Sequence, residues 1–129
     1  MTALESLERE RYISLATFRR NGKAVETPVW FALREGRLYV FSEARAGKVK
    51  RLRNDPRVRV APCSVRGKVK GRWLEGRGRR VEDPAAVAAA YQALGRKYGW
   101  QMRLTDLLSR LAGRYDQRAI LELEIGPPT

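Results

Sequence analysis

A run of residues that could bind an anion lies between Ser42 and Pro56, SEARAGKVKRLRNDP, where five basic side chains follow a strand-like segment. Backbone N–H groups at a helix start have no partners inside the helix and bind anions readily. A phosphate here would contact Ser42 and those N–H groups, with Lys48 or Arg51 reaching across. Gly47 lowers helix propensity by about 1 kcal/mol relative to alanine, which indicates close approach of a ligand to the backbone. The competing interpretation is a solvated helix with its basic face in water.

The rest of the residue inventory limits which chemistry is available. The chain has no histidine, and Cys63 is its single cysteine. This excludes an internal disulfide and a Ser-His or Cys-His nucleophile pair, and it leaves few ligands for zinc, haem or an iron–sulfur cluster. If the protein is an enzyme, its reactive group is expected to come from a bound organic cofactor, and no side chain is assigned a catalytic role.

The formal net charge of +13 predicts attraction to polyanions. Nucleic acid is one alternative, because basic residues occur throughout the chain and Trp73 among them could stack on a base. No RNP sequence, KH clamp or zinc-finger pattern accompanies this charge, so nucleic acid is the more distant alternative and is not the expected partner. A small molecule that carries phosphate and carboxylate groups is the other alternative.

Length and hydropathy point to one domain spanning residues 1–129. No apolar run approaches the ~20 residues of a membrane-spanning helix. The first ten residues mix leucines with glutamates and lack the order of a secretory signal, so we expect a cytoplasmic protein without a membrane span.

The elements that position the basic run begin with a β-hairpin. Tyr12–Arg20 and Ala24–Leu33 have strand-like patterns, and Asn21-Gly22 between them predicts a type I′ turn with positive φ at both residues. Pro28 predicts an edge position, a bulge or a point where the strand leaves its ladder. Arg37–Ser42 adds a third strand to this antiparallel meander.

The basic run itself has the pattern of a short helix. Ser42 is a suitable N-cap, and Ala46, Val49 and Leu52 form an apolar stripe at helical spacing. The sequence Asn54-Asp55-Pro56 ends the helix.

The remaining sequence predicts further strands and helices. Asp83 before Pro84 is typical of a helix start. Other elements are expected as strands within Arg57–Cys63 and Gly71–Glu82, a helix around Leu104–Leu111, and a strand at Arg118–Ile125. Six or seven antiparallel strands with a few helices predict a small α+β barrel.

Three stretches, taken in order, carry a family resemblance: NGKAVETPVWFAL, LYVFSEARAGKVKRLRNDPRVRVAPC and RGKVKGRWLEGRGRRVED. Together they resemble the split β-barrel flavin and deazaflavin oxidoreductases related to pyridoxamine 5′-phosphate oxidase, and most of all the branch that depends on coenzyme F-420. The resemblance is strong from about Tyr12 to Asp83 and loose elsewhere. Its specificity comes from the combination of the three stretches.

The resemblance implies a six-stranded antiparallel split β-barrel with flanking helices, and a homodimer whose cofactor sites lie at the subunit interface. It implies that one strand lines the cofactor ring and that a strand end and helix hold the cofactor phosphate. The ring-lining residues would be Thr27, Pro28, Val29 and Trp30. The phosphate-binding residues would be Ser42, Gly47 and Lys48, with Arg45, Lys50 and Arg51 close enough to help.

The implied activity is hydride transfer between F-420 and a small organic substrate. An FMN-binding flavoprotein of the same fold and a non-catalytic cofactor carrier are the alternatives. The phosphate-oxidase pattern has Arg-Lys where this chain has Gly47-Lys48, and its carboxyl-terminal substrate-binding segment has no counterpart here. Oxidation of pyridoxine phosphate is therefore not expected.

Overall fold

The computed structural model describes residues 2–99 and 118–126. Three helices flank a set of antiparallel strands in this part of the chain. The helices are α1 (Ala3–Glu8), α2 (Gly47–Asn54) and α3 (Pro84–Tyr98). The strands are β1 (Ile13–Phe18), β2 (Ala24–Val29), β3 (Phe31–Arg34), β4 (Arg37–Glu43), β5 (Arg57–Pro62), β6 (Leu74–Val81) and β7 (Arg118–Ile125). The helix predicted around Leu104–Leu111 lies outside the described residues.

The sheet curls until its two edges meet. The described strands form one sheet in the order β2-β1-β5-β6-β7-β4-β3, so β2 and β3 are the outermost strands. Only Trp30 separates these two strands in sequence, and its carbonyl accepts a hydrogen bond from Phe41 N at 3.1 Å. The edges must therefore lie side by side, which confirms the predicted α+β split barrel. The strand count is seven instead of six because Trp30 interrupts what would otherwise be one strand.

The interior of the barrel holds the main hydrophobic core. Phe31, Leu15 and Leu121 are fully buried there, and Val49 and Leu52 of α2 pack against the same cluster. A second cluster lies between the sheet and α3, where Leu94 contributes a fully buried side chain. Burial of these apolar surfaces supplies most of the driving force for folding.

The first hairpin turn differs from the sequence prediction, whereas the chain turns at Glu35-Gly36 between β3 and β4. At the predicted type I′ turn only Gly22 has positive φ, +85°, and Gly22 N donates to Arg19 O at 2.8 Å. The type I′ prediction at Asn21 was wrong because the loop has three residues, with glycine as the left-handed third. Positive φ at two successive residues occurs instead at Glu35 and Gly36, between β3 and β4.

The start of α2 also differs from the prediction. The helix begins at Gly47 with Ala46 as its N-cap, and no side chain caps it. Ser42 pairs with Ala119 of β7 and so remains inside the β4 ladder, where its hydroxyl donates to Glu43 O at 3.1 Å. The prediction that Ser42 caps this helix was therefore wrong.

Other element boundaries agree with the sequence patterns. Helix α3 has Asp83 as its N-cap, and its carboxylate accepts from Ala86 N at 3.0 Å. Pro28 lies in β2, at the edge of the sheet, as its missing N–H predicts. Among the described helices, none combines the length and apolar character that crossing a membrane would require.

Candidate functional site

A cleft of about 430 Å³ opens where β2 gives way to β3, beside the end of β4 and the start of α2. Its position follows from the break at Trp30, because β2 and β3 separate there and expose the side chains around the break. The cleft is lined by Tyr12, Pro28, Val29, Trp30, Phe41, Ser42, Glu43, Ala46 and Lys48.

Lys48 is the cation of this cleft. Burial lowers the pKa of its ammonium group, the nearby Arg51 charge lowers it further, and Glu43 acts in the opposite direction. No carboxylate among the described residues lies within ion-pair distance of Lys48 Nζ. A partly desolvated cation without a partner favours an anionic ligand, since the ligand would restore the lost solvation.

Two hydroxyl groups lie at or beside the cleft, that of Ser42 on β4 and that of Thr27 on β2. Ser42 is only 4% exposed and lines the cleft at the end of β4. Thr27 lies just before the lining residues of β2, and its buried Oγ1 has no hydrogen-bond partner in the described part of the chain. A buried hydroxyl without a partner is costly, but Thr27 does not line the cleft, so this structure gives it no ligand contact.

An aromatic cluster supports the wall of the cleft at the strand break. The indole of Trp30 stacks on Tyr98 of α3, with ring centroids 4.7 Å apart and 12° between the planes. Phe41 lies 6.3 Å from the same indole and meets Tyr91 edge-on at 6.2 Å. Trp30 is therefore held between β4 and α3 while part of its surface faces the cleft.

The hydroxyl of Tyr98 is fully occupied inside the protein. It accepts from Phe31 N at 2.9 Å and donates to Arg11 O at 2.8 Å. Burial raises the pKa of Tyr98 far above its ordinary value. Tyr98 consequently fixes the backbone beside Trp30, and its proton is not available for exchange with a ligand.

Gly47 has a different role from the one its sequence position predicted. A side chain at Gly47 would lie 2.6 Å from the guanidinium of Arg51, which folds back over the helix start. Arg51 Nε in turn donates to the buried Thr17 Oγ1 at 2.6 Å. The space above Gly47 is thus occupied by this chain's own arginine, which joins α2 to β1.

The structure brings together half of the residues predicted to bind the cofactor. Pro28, Val29, Trp30, Ser42 and Lys48 line the cleft. Thr27, Gly47 and Arg51 lie beside it without lining it. Arg45 and Lys50 are exposed and do not line it, because they lie on the outer surface around α2.

Four residues of the cleft were not predicted from the sequence: Tyr12, Phe41, Glu43 and Ala46. Tyr12 could have been found from the first hairpin, because the register that pairs Ile13 with Val29 carries Tyr12 toward the strand break. The other three flank predicted residues in sequence, but no residue-type signal distinguishes them.

These side chains match the chemistry of a phosphate-bearing aromatic ring. The lining combines a partly buried cation, which has no ion-pair partner in the part of the chain that the structure describes, with a hydroxyl, an indole and a proline ring. Charge-assisted hydrogen bonds to phosphate and apolar contact with a planar ring are the interactions that this set of groups can make.

The curled antiparallel sheet with this cleft at its strand break defines a split-barrel domain of the flavin-binding type. The model of the pyridoxamine 5′-phosphate oxidase family matches residues 2–126, nearly the whole chain. The protein therefore belongs to the pyridoxamine 5′-phosphate oxidase family. No protein of curated function matches its sequence at a significant level.

Solved structures share the same fold. HutZ, the heme storage protein from Vibrio cholerae, is similar with a TM-score of 0.72 and 17% identity, over 97% of this chain and 89% of HutZ. An FAD-binding protein from Mesorhizobium loti has a TM-score of 0.63 and 21% identity, with 98% and 90% coverage. An F420 reductase has a TM-score of 0.62 and 20% identity, with 98% and 96% coverage. At these identities the similarities show a common fold.

Proposed function

We propose that this protein is an oxidoreductase that transfers hydride between deazaflavin coenzyme F-420 and a small organic substrate. The observation that carries the proposal is the cleft in which the partly buried Lys48, which has no ion-pair partner among the described residues, lies with Ser42, Pro28 and Trp30. These are the residues through which the family resemblance places the cofactor phosphate and ring.

Each group of lining residues has a distinct task in this proposal. Lys48 and Ser42 hold the phosphate, and the positive charge of Arg51 next to Lys48 adds to the attraction. The backbone and side chains from Pro28 to Trp30 hold the ring. When bound, the deazaflavin supplies the hydride chemistry, so the protein needs no histidine or thiolate.

The protein's own contribution is orientation and the exclusion of water. The stacking of Trp30 on Tyr98 holds one wall of the cleft in place before a ligand binds. A preformed wall lowers the ordering cost of binding and keeps water from the reacting face.

The preference for F-420 over FMN rests on charge and on similarity. F-420 carries an oligoglutamate tail in addition to its phosphodiester, and a net charge of +13 favours such a ligand. The structural similarity to an F420 reductase supports the same choice, and the similarity to an FAD-binding protein keeps a flavin as the alternative.

Equilibrium titration of the protein with F-420 and with FMN, followed by fluorescence, tests the proposal. We expect tighter binding of F-420. Tight binding of FMN without binding of F-420 would replace the proposal by the flavoprotein alternative. If F-420 binds but its reduced form passes no hydride to any of a panel of electron-poor acceptors, the protein is a cofactor carrier.

Replacement of Lys48 by alanine tests the site itself. Loss of a charge-assisted bond to phosphate should cost about 1.5–3 kcal/mol, or roughly 10- to 150-fold in Kd. Arg53→Ala is the matched control, because Arg53 is an exposed cation on the same helix and does not line the cleft. Equal Kd values for the two variants would remove Lys48 from the site.

We propose further that a second copy of the chain covers the open side of the cleft. Val65 is 61% exposed and lies in the loop whose Gly67 packs beside the ring of Pro28, so an apolar side chain protrudes next to the cleft. Light scattering after size exclusion should give the mass of a dimer, and Val65→Glu should weaken it. A monomer at concentrations that bind cofactor would contradict this arrangement.

A further inference from the structure

A second, larger cleft lies over β5 and β6, away from the cofactor cleft. It encloses about 650 Å³ and is lined by Arg57, Arg59, Arg72, Arg77, Trp73 and Glu75, among others. An adjoining cleft of about 470 Å³ shares Arg57 and Arg59 and extends to Phe18. We call these two joined clefts the arginine groove.

The strand register explains why the guanidinium groups meet there. Arg57 of β5 pairs with Arg77 of β6, and Arg59 pairs with Glu75. Like charges directly opposite each other on neighbouring strands destabilise a sheet. Asp55 compensates part of the Arg57 charge, and Arg77 lies opposite Glu124 of β7 on its other side, so the register brings the guanidinium groups together without itself requiring an anion.

Few of these charges are neutralised within the described residues. Arg57 forms an ion pair with Asp55 at 2.7 Å. Arg72 and Arg77 are exposed and form no ion pair or hydrogen bond with the described part of the chain. The buried Nε of Arg59 likewise has no hydrogen-bond partner there. The groove thus presents donors that an anionic ligand could satisfy.

Aromatic rings are interleaved with the arginines. The guanidinium of Arg59 lies 5.5 Å from the ring centroids of both Phe18 and Trp73, and that of Arg57 lies 4.8 Å from Phe18. Trp73 is only partly buried, so some of its indole remains available to a ligand.

The segment that carries Arg72 and Trp73 is held against the end of β5. Lys70 N donates to Pro62 O at 2.8 Å, and a side chain at Gly71 would lie only 2.7 Å from Pro62 Cγ. This close packing places the indole and the neighbouring guanidinium at the groove before any ligand binds, which reduces the ordering cost of binding.

We propose that the arginine groove binds nucleotides, either free or within single-stranded nucleic acid. Phosphate groups would pair with Arg72 and Arg77, and a base would stack on the exposed part of Trp73. Guanidinium groups beside an indole are the combination that recognises phosphates and bases together. An acidic peptide would use the charges but leave the aromatic surface unused.

This site is separate from the cofactor cleft and does not depend on the proposed redox function. Tyr12 lines the cofactor cleft and immediately precedes β1, whereas Phe18 lines the groove and is the last residue of β1. A strand of this length places them roughly 20 Å apart along the chain. Variants in one cleft can therefore be tested without changing the other.

Fluorescence anisotropy of a labelled oligothymidylate, titrated with the full chain over a range of salt concentrations, tests the proposal. We expect log Kd to change with log salt with a slope of about 2 to 3, because three or four phosphates would each contribute about 0.7. Competition by thymidine triphosphate would identify free nucleotides as sufficient ligands, and failure to compete would identify the strand; both outcomes support the site.

Matched variants separate specific binding from general charge. Trp73→Leu should weaken oligothymidylate binding about tenfold or more, and Trp73→Phe should weaken it less. Arg72→Ala/Arg77→Ala should lower the salt slope by about 1.4. The control is Arg9→Ala/Arg96→Ala, which has the same net charge as Arg72→Ala/Arg77→Ala but replaces two exposed arginines outside the groove. This control should keep Kd within about twofold of wild type.

Two results would overturn the proposal. One is an equal loss of oligothymidylate affinity in Arg72→Ala/Arg77→Ala and in the Arg9→Ala/Arg96→Ala control, which would mean that binding follows net charge alone. The other is competition by oligoglutamate as strong as that by unlabelled oligothymidylate, which would mean that no base is recognised. Lys48→Ala should bind the oligonucleotide like wild type, so failure of the redox proposal would remain distinguishable from failure of this one.

Discussion

The indole of Trp30 and the phenol ring of Tyr98 stack in parallel, 4.7 Å apart, and join the strand break of the barrel to the last turn of α3. The Tyr98 hydroxyl extends this connection, because it binds the backbone of Phe31 on one side and of Arg11 on the other. One side chain thus fixes three segments around the cofactor cleft. The geometry of that cleft consequently depends on α3, although α3 does not line it.

Tyr98→Phe should destabilise the protein while preserving the ring stack. The buried Phe31 N–H would lose its acceptor, and an unsatisfied buried donor costs about 1–3 kcal/mol. Urea unfolding followed by circular dichroism would measure the change. Tyr12→Phe is the comparison, since Tyr12 is only partly buried, its hydroxyl makes no hydrogen bond with the described part of the chain, and it should lose less. Equal unfolding free energies for wild type and Tyr98→Phe would contradict this structural role.

The depressed pKa of Lys48 predicts how cofactor binding depends on pH. Burial and the Arg51 charge lower this pKa below 10.5 in the free protein, whereas a bound phosphate would hold the proton on the ammonium group. Affinity for F-420 or FMN should therefore decline as pH rises through the lowered pKa of free Lys48. Fluorescence titrations at successive pH values would measure this decline.

Lys48→Arg is the control for that pH dependence. A guanidinium stays charged over the whole range, so the variant should keep its affinity at pH values where wild type loses it. An identical decline in both proteins would assign the titration to another group.

Local patterns in the sequence were sufficient to predict most of the fold. The first hairpin, the helix after Asp83 and the strand at Arg118–Ile125 follow from alternation, helical spacing and turn residues, which act over a few neighbours. The closure of the barrel required one further fact. Only the sheet order shows that the two strands joined by Trp30 are also the two edges of the sheet.

The candidate site was less predictable because its details depend on the direction of long side chains. Gly47 and Arg51 were both assigned to phosphate from their positions near a helix start. In the structure Arg51 turns toward Thr17 and occupies the space that Gly47 leaves open. Ser42 was expected to cap the helix, but strand pairing with β7 extended one residue beyond it. Neither outcome has a signature within a short window of sequence.

Glu122 of β7 is the centre of a second stabilising network of side chains, separate from the contacts of Tyr98. This carboxylate is 8% exposed and accepts from Tyr39 Oη at 2.9 Å, and from Arg37 and Arg79 at 3.3 and 3.2 Å. It therefore connects β4, β7 and β6. Glu122→Gln should lower the free energy of unfolding by roughly 1–3 kcal/mol, because hydrogen bonds to a charged acceptor are lost.

The same variant should also change the ionisation of Tyr39. Burial raises the pKa of Tyr39, and the hydrogen bond to Glu122 raises it further. Ultraviolet titration of the tyrosines should show one group ionising at lower pH in Glu122→Gln. Glu124→Gln, an exposed position on the same strand opposite Arg77, should cost less than about 1 kcal/mol and leave the tyrosine titration unchanged. Loss of stability in Glu124→Gln as large as in Glu122→Gln would argue against the network.

Because the ammonium group of Lys97 is buried, we expect the free energy of unfolding to rise in alkaline solution. Its side chain is only 10% exposed, with Nζ 3.5 Å from the ring centroid of Phe31 and 3.7 Å from a carboxylate oxygen of Glu8. Burial lowers the pKa of Lys97 from 10.5 to about 8, with Glu8 opposing this shift. Between these two pH values the unfolded chain binds more protons than the folded protein, so the free energy of unfolding should increase with pH.

Lys97→Met isolates this contribution, because methionine has no charge to desolvate. Urea unfolding at pH values from about 8 to 10 should show a smaller increase for the variant than for wild type. Lys48 also has a lowered pKa and adds a rise of the same sign, so some increase should remain in Lys97→Met and become smaller again in the Lys48→Met/Lys97→Met pair. Parallel pH profiles for wild type and Lys97→Met would show that the Lys97 ammonium is as well solvated in the folded protein as in the unfolded chain.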